Sequence, residues 1–302
     1  MNRRDFIAHT GMFAAGAALA PRGLHAASCA SMPAGVQLYT VRDALQRDPR
    51  GTLAKLHDIG IVEAELYGLR GPESATLFGL AAKDLKQAFD ANGIKVPISH
   101  IDGALTNTGA IAAIARTLGI GMVVVALPSE FSGEVNGRPG RVPAKSRAQL
   151  DQLAARLNKV GREYRSEGLR FGYHNHDIEF IEVEGVVPYD YLMSHTDPDL
   201  VQIELDLGWL AYAGMDPVQY IERYAGRVVS CHLKDFAPSI STDVPARKLV
   251  PPGSGTIDFK AVLAALRKAN VAHGFIEIDV SDDPLEGVRR GHEHLQRLQG
   301  CA

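Results

Sequence analysis

The sequence predicts a single (β/α)8 barrel (TIM barrel) of the α/β class, and three observations lead to this prediction. The chain has 302 residues, 46% of them hydrophobic, which is ordinary for a globular protein and long enough for one large core. Short apolar runs alternate eight times with amphipathic segments, as in parallel strands joined by helices. The first predicted strand leads into residues 39–43 without a glycine, whereas the alternative, an open doubly wound sheet, normally has a glycine-rich turn there.

Eight apolar runs have the length of buried strands. They span residues 36–39, 61–66, 95–100, 122–127, 169–175, 200–206, 228–233 and 274–278. The segments between them have apolar residues at three- and four-residue spacing, for example Leu150, Leu153, Ala154, Leu157 and Val160. Asp216-Pro217 and Asp258 have the residue types that begin helices, and Gly60, Asn92-Gly93 and Gly119 those that end them. Residues 128–143, rich in Gly and Pro, predict a long loop that covers the site.

Residues 1–27 are predicted to be a twin-arginine (Tat) signal peptide, and residues 28–302 the barrel domain. Arg3-Arg4 precedes a weakly apolar run at 11–20, which is too short to span a bilayer, and cleavage is expected after Ala27 rather than Ala20. The alternative is a cytoplasmic N-terminus with a chance arginine pair. The signal implies the Tat export machinery as a partner and a periplasmic or secreted protein. Cys29 lies in a poor context for lipid attachment.

Charge and cysteine content exclude several classes of protein. The formal net charge is −3 and is spread along the chain, so no basic surface for nucleic acid is expected. No membrane span is expected in the barrel domain. The three cysteines have no close spacing, which indicates neither a disulfide framework nor a zinc cluster.

Polar residues stand at the carboxyl ends of the predicted strands, where active sites of such barrels lie. A charged or imidazole side chain on an apolar strand is costly unless it is paired or bound. Strands five to eight all end in histidine or carboxylate, so these groups must neutralise one another or share a cation. Their nitrogen and oxygen donors suit one divalent ion such as Mn²⁺, Zn²⁺, Co²⁺ or Fe²⁺. The polar residues at the ends of predicted strands two, three and five to eight are Glu65, His100, His174, His176, Glu204, Asp206, His232, Lys234, Glu277 and Asp279.

Seven motifs carry a resemblance to a known family. They are VQLYTVRD at 36–43, YHNHDIEF at 173–180, ELDLGW at 204–209, AGMDP at 213–217, HLKD at 232–235, GSGTIDF at 253–259 and EID at 277–279. With these motifs the chain resembles the sugar phosphate isomerase/epimerase family, the xylose-isomerase-like TIM barrels, from residue 35 to about residue 298. The resemblance implies a sugar as the small-molecule substrate but does not specify which sugar.

The resemblance also implies a ligand set for one divalent ion, namely His174, Asp206, His232 and Glu277. The chain departs from the family at strand five, where it has His174-Asn175-His176 instead of Glu-Asn-His. Epimerases of the family use the strand-five and strand-eight carboxylates as an acid/base pair. Here one of these groups is an imidazole, which can also move a proton near neutral pH. An exported subgroup with His-Asn-His is associated with 3-keto sugars and glycosides.

The positions of these residues at the strand ends predict roles for most of them, and for some of the features a second interpretation remains. The predicted catalytic residues are His174, which is a ligand or a base, together with His176, Lys234 and Glu277; the predicted substrate-binding residues are Glu65, His100 and Trp209. Lys234 is alternatively a buried partner of Asp235 or Glu204. Trp209 either stacks on a sugar ring or packs the lid. The segment Gly253-Ser254-Gly255 is a turn before a helix or, less in keeping with export, a phosphate cradle.

The predicted function is that of a metal-dependent sugar isomerase or epimerase acting on a non-phosphorylated sugar or keto sugar. The ion polarises a carbonyl, a base removes the neighbouring carbon-bound proton, and an enediolate forms. The alternative is a metal-dependent lyase or hydrolase that cleaves 3-keto-glycosides by β-elimination from the same intermediate. A third hypothesis is a sugar-binding barrel without catalysis.

Overall fold

The computed structural model describes residue 32, residues 34–238 and residues 248–300. The predicted signal peptide (residues 1–27), its cleavage sites and Cys29 lie outside the described residues. Export therefore stays a prediction, which fractionation of cells into cytoplasm and periplasm would test. Among the described helices, none is long and apolar enough to cross a membrane.

Eight parallel strands form a closed barrel, and each pairs with its neighbours in chain order until the last pairs with the first. The strands are β1 (Ala34–Gln37), β2 (Glu63–Leu69), β3 (Lys95–Ile101), β4 (Met122–Val125), β5 (Arg170–His174), β6 (Gln202–Asp206), β7 (Val228–Leu233) and β8 (His273–Ile276). The prediction of a (β/α)8 barrel is thus confirmed, and the open-sheet alternative is wrong.

The helices lie between the strands in chain order. They are α1 (Arg42–Arg47), α2 (Pro49–Ile59), α3 (Ala82–Ala91), α4 (Thr108–Leu118), α5 (Arg147–Ser166), α6 (Pro188–His195), α7 (Leu207–Tyr212), α8 (Pro217–Arg223), α9 (Phe259–Lys268) and α10 (Pro284–Leu298). Asp216 and Asp258 accept backbone N–H bonds at the starts of α8 and α9, as predicted. Gly60 and Gly119 end α2 and α4 in the left-handed conformation, where glycine has no steric penalty.

The first strand ends two residues earlier than predicted. The prediction extended it to Tyr39, but Leu38–Val41 forms a turn of 3-10 helix. The Gln37 side chain accepts a hydrogen bond from the Tyr39 N–H and so begins this turn directly at the strand end. The apolar run therefore continues past the strand because Leu38 and Val41 are buried inside the turn.

The core has two parts, and successive residues of β4 alternate between them. On β4, Val123 and Val125 face the main cluster beneath the helices, whereas Met122 and Val124 join Ile98 and Phe275 in a smaller cluster. This alternation follows from the period of two in a strand. The smaller cluster fills the barrel interior with apolar side chains, so polar groups collect at the carboxyl ends of the strands.

Candidate active site

Six strands bring the predicted residues together at the carboxyl-end mouth of the barrel, because all strands run in the same direction. They lie on or just after these strands: Glu65 on β2, His100 on β3, His174 and His176 at β5, Asp206 and Trp209 at β6, His232 and Lys234 at β7, and Glu277 after β8. Glu65, Asp206 and His232 have no exposed surface. Side chains separated by up to 212 positions, from Glu65 to Glu277, thus form one polar site.

The outer group, defined as Asp206, His232 and Glu277, offers two oxygens and a nitrogen within 4.8 Å of one another. The His232 Nδ1 atom lies 2.7 Å from Glu277 Oε2 and 3.6 Å from Asp206 Oδ2. Asp206 Oδ2 is buried and accepts no hydrogen bond with good geometry from the described residues. A buried carboxylate oxygen in this state fits a divalent ion, and the donor set is one that first-row metals prefer.

The inner cluster, defined as His100, His174, Glu204 and His232, surrounds one carboxylate oxygen. Glu204 Oε1 lies 2.6 Å from His100 Nε2, 3.3 Å from His174 Nδ1 and 3.4 Å from His232 Nε2. Since Glu204 precedes Asp206 by two residues on the same face of β6, this cluster lies deeper in the barrel. His174 lies between the two groups, with Nε2 3.6 Å from Asp206 Oδ2.

Neighbouring side chains fix the orientation of the site carboxylates. Gln37 donates to Glu65 Oε2 at 2.8 Å, and Ser230 donates to Glu204 Oε2 at 2.8 Å. Asp206 Oδ1 accepts the Trp209 backbone N–H at 2.8 Å and so caps α7. The Asn175 side-chain amide bonds both the N–H and the C=O of Asp206. Such outer contacts hold metal ligands or catalytic groups in one geometry.

The Lys234 ammonium is held by three carboxylates. Its Nζ atom lies 2.8 Å from Glu277 Oε2, 2.8 Å from Asp279 Oδ2 and 3.1 Å from Asp206 Oδ2. The stem of Lys234 passes over Gly208, where an added Cβ would lie 2.6 Å from the lysine Cβ and Cγ, so the glycine is what admits it. Lys234 therefore forms buried ion pairs, as the alternative interpretation predicted. The predicted choice of partner was wrong, because the partners are Asp206, Glu277 and Asp279 instead of Asp235 or Glu204.

Burial and neighbouring charges shift the pKa values of the site residues in opposite directions. Burial alone would raise the pKa of Asp206 and of Glu277, but the Lys234 ammonium lowers both below their usual values. Burial alone would likewise lower the pKa of His100, but the Glu65 and Glu204 carboxylates raise it to about 10. The outer carboxylates are therefore ionised acceptors.

Trp209 packs beneath the lid rather than offering a free ring face. The predicted loop at 128–143 contains a hairpin of two strands, Ser132–Val135 and Arg138–Arg141. The Arg141 guanidinium lies 4.2 Å from the centre of the Trp209 ring, and Arg141 also pairs with Asp177 at 3.2 Å. The Lys234 ammonium lies 4.8 Å from the same ring centre. Trp209 is 8% exposed, which favours the lid-packing interpretation.

The segment Gly253-Ser254-Gly255 binds a carboxylate of this chain. Asp235 accepts hydrogen bonds from the backbone N–H groups of Gly253, Gly255, Thr256 and Ile257 at 2.8 to 3.2 Å. An added Cβ at Gly255 would lie 2.2 Å from Asp235 Oδ1, so the close approach requires glycine. These donors already serve an internal anion, which supports the turn interpretation over a phosphate cradle.

A cavity of about 450 Å³ opens over the site. The site residues His100, His174, His176, Lys234, Glu277 and Asp279 line it, together with Tyr39, Tyr67, Arg70 and Arg141. This volume is in the range of small-molecule sites. The cavity joins the outer group to histidines that can accept a proton and to a lysine that carries one.

The sequence prediction missed several residues of the site. Glu204 and Asp279 were recognised as polar strand ends but received no role, yet Glu204 is central to the inner cluster and Asp279 pairs with Lys234. The signal for Glu204 was its two-residue spacing from Asp206, which puts both on one strand face. The same spacing puts Ser230 on one strand face with His232, but it indicated no role for the serine. Gln37 gave no signal, because a single polar residue on a strand is common.

Glu179 lies in the 3-10 turn that follows β5, and its burial predicts a pH-dependent stability. It is fully buried, accepts bonds from the Tyr173 hydroxyl and the His176 N–H, and burial raises its pKa from 4.5 to about 7. An acid whose pKa is raised in the folded state costs stability as pH rises from about 4.5 through 7.

We expect Glu179→Gln, which keeps the shape without the charge, to raise the free energy of unfolding by about 1–3 kcal/mol at pH 8 and by much less at pH 5. Urea unfolding at both pH values measures this. The exposed neighbour Glu182 supplies the control Glu182→Gln, which should change stability little at either pH. A Glu179→Gln effect of equal size at both pH values would contradict the role given to ionisation.

A closed parallel barrel with acid, imidazole and amine groups at the carboxyl ends of its strands is the architecture of a TIM-barrel enzyme. The sequence profile of the xylose isomerase-like TIM barrel family matches residues 53–298. The chain therefore belongs to this family, which confirms the resemblance predicted from the motifs.

Known relatives agree with this assignment. A protein of Clostridium botulinum (strain Alaska E43 / Type E3) named inosose dehydratase is 26% identical over 266 residues, which cover 78% of this chain and 87% of that protein. A sugar phosphate isomerase/epimerase from Parabacteroides distasonis superposes with a TM-score of 0.71 at 22% identity, covering 89% and 95% of the two chains. A xylose isomerase-like barrel from Mycobacterium smegmatis, in complex with magnesium, has a TM-score of 0.68 at 13% identity and covers 91% and 99%. These structures share the fold.

Proposed function

We propose that this chain is a divalent-metal-dependent lyase that acts on a non-phosphorylated keto sugar or keto cyclitol. It removes the proton next to the carbonyl and expels a hydroxyl or alkoxyl group from the following carbon. The observation that carries this proposal is that His176 and Lys234 line one cavity together with Glu277 of the outer group. The curated relatives named inosose dehydratase support loss of a leaving group rather than simple isomerisation.

The outer group would hold the ion through Asp206 Oδ2, His232 Nδ1 and Glu277 Oε2, which lie within joint reach of one atom. A bound divalent ion supplies Lewis-acid polarisation of the substrate carbonyl. A neutral imidazole is the required form of a histidine ligand, and the Glu65 carboxylate, 2.6 Å from His232 Nε2, orients that ring to present Nδ1.

The side chains of the cavity supply the proton transfers. His176 accepts the carbon-bound proton, because a neutral imidazole always has one unprotonated nitrogen. The electron pair of the broken C–H bond forms the C=C bond as the bond to the leaving group breaks. The leaving group takes up the proton that His176 removed, which gives water or an alcohol, an unsaturated ketone and neutral His176 again. Lys234 places positive charge beside the oxygen on which negative charge develops.

The substrate class is a ketone without a phosphate group. The backbone N–H groups of Gly253, Gly255, Thr256 and Ile257 donate to Asp235, and that of Ser254 donates to the Pro251 carbonyl, so they are not free for an anion. The predicted export signal also favours a substrate without phosphate, because phosphorylated sugars are intracellular metabolites. The cavity of about 450 Å³ accommodates a sugar ring together with the group it loses.

A second candidate, the isomerase or epimerase predicted from the motifs, is favoured by the position of Glu277. This carboxylate follows β8, whereas His174 and His176 belong to the end of β5, so proton-transferring groups approach the cavity from different walls. Such a pair can remove a proton from one face of a carbon and return it to the other.

The two outcomes separate in one experiment. Purified protein, loaded with Mn²⁺, Zn²⁺, Co²⁺ or Mg²⁺, is incubated in D₂O with a panel of inososes, 3-keto-glucosides and unoxidised sugars, and products are followed by NMR. We expect an unsaturated ketone or its tautomer together with released water or alcohol. Deuterium at the carbon next to the ketone without elimination would establish the epimerase instead. No exchange and no product from any ketone would overturn both.

A further inference from the structure

The inner cluster has the arrangement of a metal site in its own right. Three imidazole nitrogens surround Glu204 Oε1 at 2.6 to 3.4 Å, and the ligand atoms all lie within 4.8 Å of one another. Ligands about 2.1 Å from one tetrahedral ion lie about 3.4 Å from each other. In the proposed lyase mechanism only the outer group holds an ion, and His100, His174 and Glu204 have no role.

Two buried atoms beside Glu204 lack the partners that buried polar atoms normally have. Among the described residues, neither His174 Nδ1 nor Glu65 Oε1 makes a hydrogen bond of good geometry, although His174 Nδ1 lies 3.3 Å from Glu204 Oε1. Both belong to side chains at most 2% exposed, and Glu65 Oε1 lies 3.2 Å from His100 Nε2. Unsatisfied donors and acceptors that converge on one point indicate a ligand at that point.

The carboxylates of the site divide between two kinds of neighbour. The Lys234 ammonium contacts Asp206, Glu277 and Asp279. Among the described residues, the ion-pair neighbours of Glu65 and Glu204 are instead imidazole nitrogens of His100, His174 and His232. Buried carboxylates surrounded by imidazoles, without an ammonium group in contact, form a donor set that a divalent cation can occupy.

We propose that the inner cluster is a second divalent-cation site, with His100 Nε2, His174 Nδ1 and Glu204 Oε1 as ligands and Glu65 Oε1 beside them. Its mixed imidazole and carboxylate donors select a first-row metal such as Zn²⁺, Co²⁺ or Mn²⁺ over Ca²⁺. His174 is then a ligand of the inner ion, and the outer ion is held by Asp206, His232 and Glu277.

The test counts ions instead of measuring turnover, so its outcome does not depend on the proposed reaction. Purified protein is freed of metal with a chelator and titrated with Co²⁺; visible absorption and elemental analysis after gel filtration give the number bound per chain. We expect two in the wild type, one in Glu204→Gln, one in His100→Asn and one in Asp206→Asn. The exposed carboxylate of Glu222 supplies the matched control, and Glu222→Gln should bind two.

The remaining outcomes decide the proposal equally. One ion per wild-type chain that is lost in Glu204→Gln but kept in Asp206→Asn supports the inner site and removes the outer one. One ion that is lost in Asp206→Asn but kept in Glu204→Gln and His100→Asn overturns the inner site. Circular dichroism identifies any variant that does not fold. Glu204→Gln and His100→Asn lie on different strands, so if one of them does not fold, the other still tests the inner site.

Discussion

Asp206→Asn is expected to lower kcat by about 10³-fold or more, with loss of the outer ion. The substitution is nearly isosteric, and the retained Oδ1 atom still accepts the Trp209 N–H that begins α7. What changes is the second atom, because an amide nitrogen replaces the buried Oδ2. That nitrogen cannot ligate a cation, and it brings an N–H donor against the Lys234 ammonium, 3.1 Å away in the wild type.

The measurement is kcat and KM on the ketone that shows turnover, together with bound metal per chain. Asp90→Asn makes the same chemical change on an exposed carboxylate that pairs with Lys86, and it should keep full activity and metal. Thermal unfolding of both variants checks that the barrel is folded. Near-wild-type kcat in Asp206→Asn after exhaustive chelation would remove the outer group from the mechanism.

The arrangement of the barrel was predictable from sequence because its signals are local. A buried strand is a short apolar run, and its carboxyl end is the point where polar residues resume, as at His174-Asn175-His176 after β5. In a parallel barrel all such ends share one face. His174, Asp206, His232 and Glu277 could therefore be expected together without knowledge of any distance between them.

The division into an outer group and an inner cluster was not predictable, because it depends on how far each side chain lies from the mouth, inside the barrel. Glu204 and Asp206 are both carboxylates on one face of β6, two residues apart. Glu204 nevertheless lies among three imidazoles, whereas Asp206 lies beside the Lys234 ammonium. Depth is set by the stagger of neighbouring strands. Glu204 lies opposite Ser230 on β7 and His174 on β5, a register that nothing local in the sequence encodes.

The partner of Lys234 was mispredicted for a related reason. Asp235 is the nearest carboxylate in sequence, but it lies on a separate short strand, Asp235–Phe236, that begins just after Lys234. Asp235 therefore turns to the loop N–H groups, and Lys234 turns inward to Asp206, Glu277 and Asp279. The first strand ended early for another local reason, since the Gln37 side chain competes with sheet pairing by bonding the Tyr39 N–H.

Lys234→Met is expected to lower the free energy of unfolding of the metal-free protein by about 3–5 kcal/mol. Methionine keeps the unbranched length and the packing over Gly208 but removes the charge. Asp206, Glu277 and Asp279 are then left close together without their shared cation. Divalent ions should restore part of the loss, because a bound cation supplies the missing positive charge.

Urea unfolding with a chelator and with saturating Mn²⁺ measures both effects, and the stabilisation by Mn²⁺ should be larger in Lys234→Met than in the wild type. Lys268→Met removes an exposed ammonium that pairs with Glu222, so it should cost less than about 1 kcal/mol under both conditions. If the two variants lose equal stability, the three carboxylates do not depend on Lys234. If Lys234→Met is strongly destabilised but gains no more from Mn²⁺ than the wild type, the outer carboxylates do not bind the ion, since a cation placed among them must relieve the repulsion that the substitution creates.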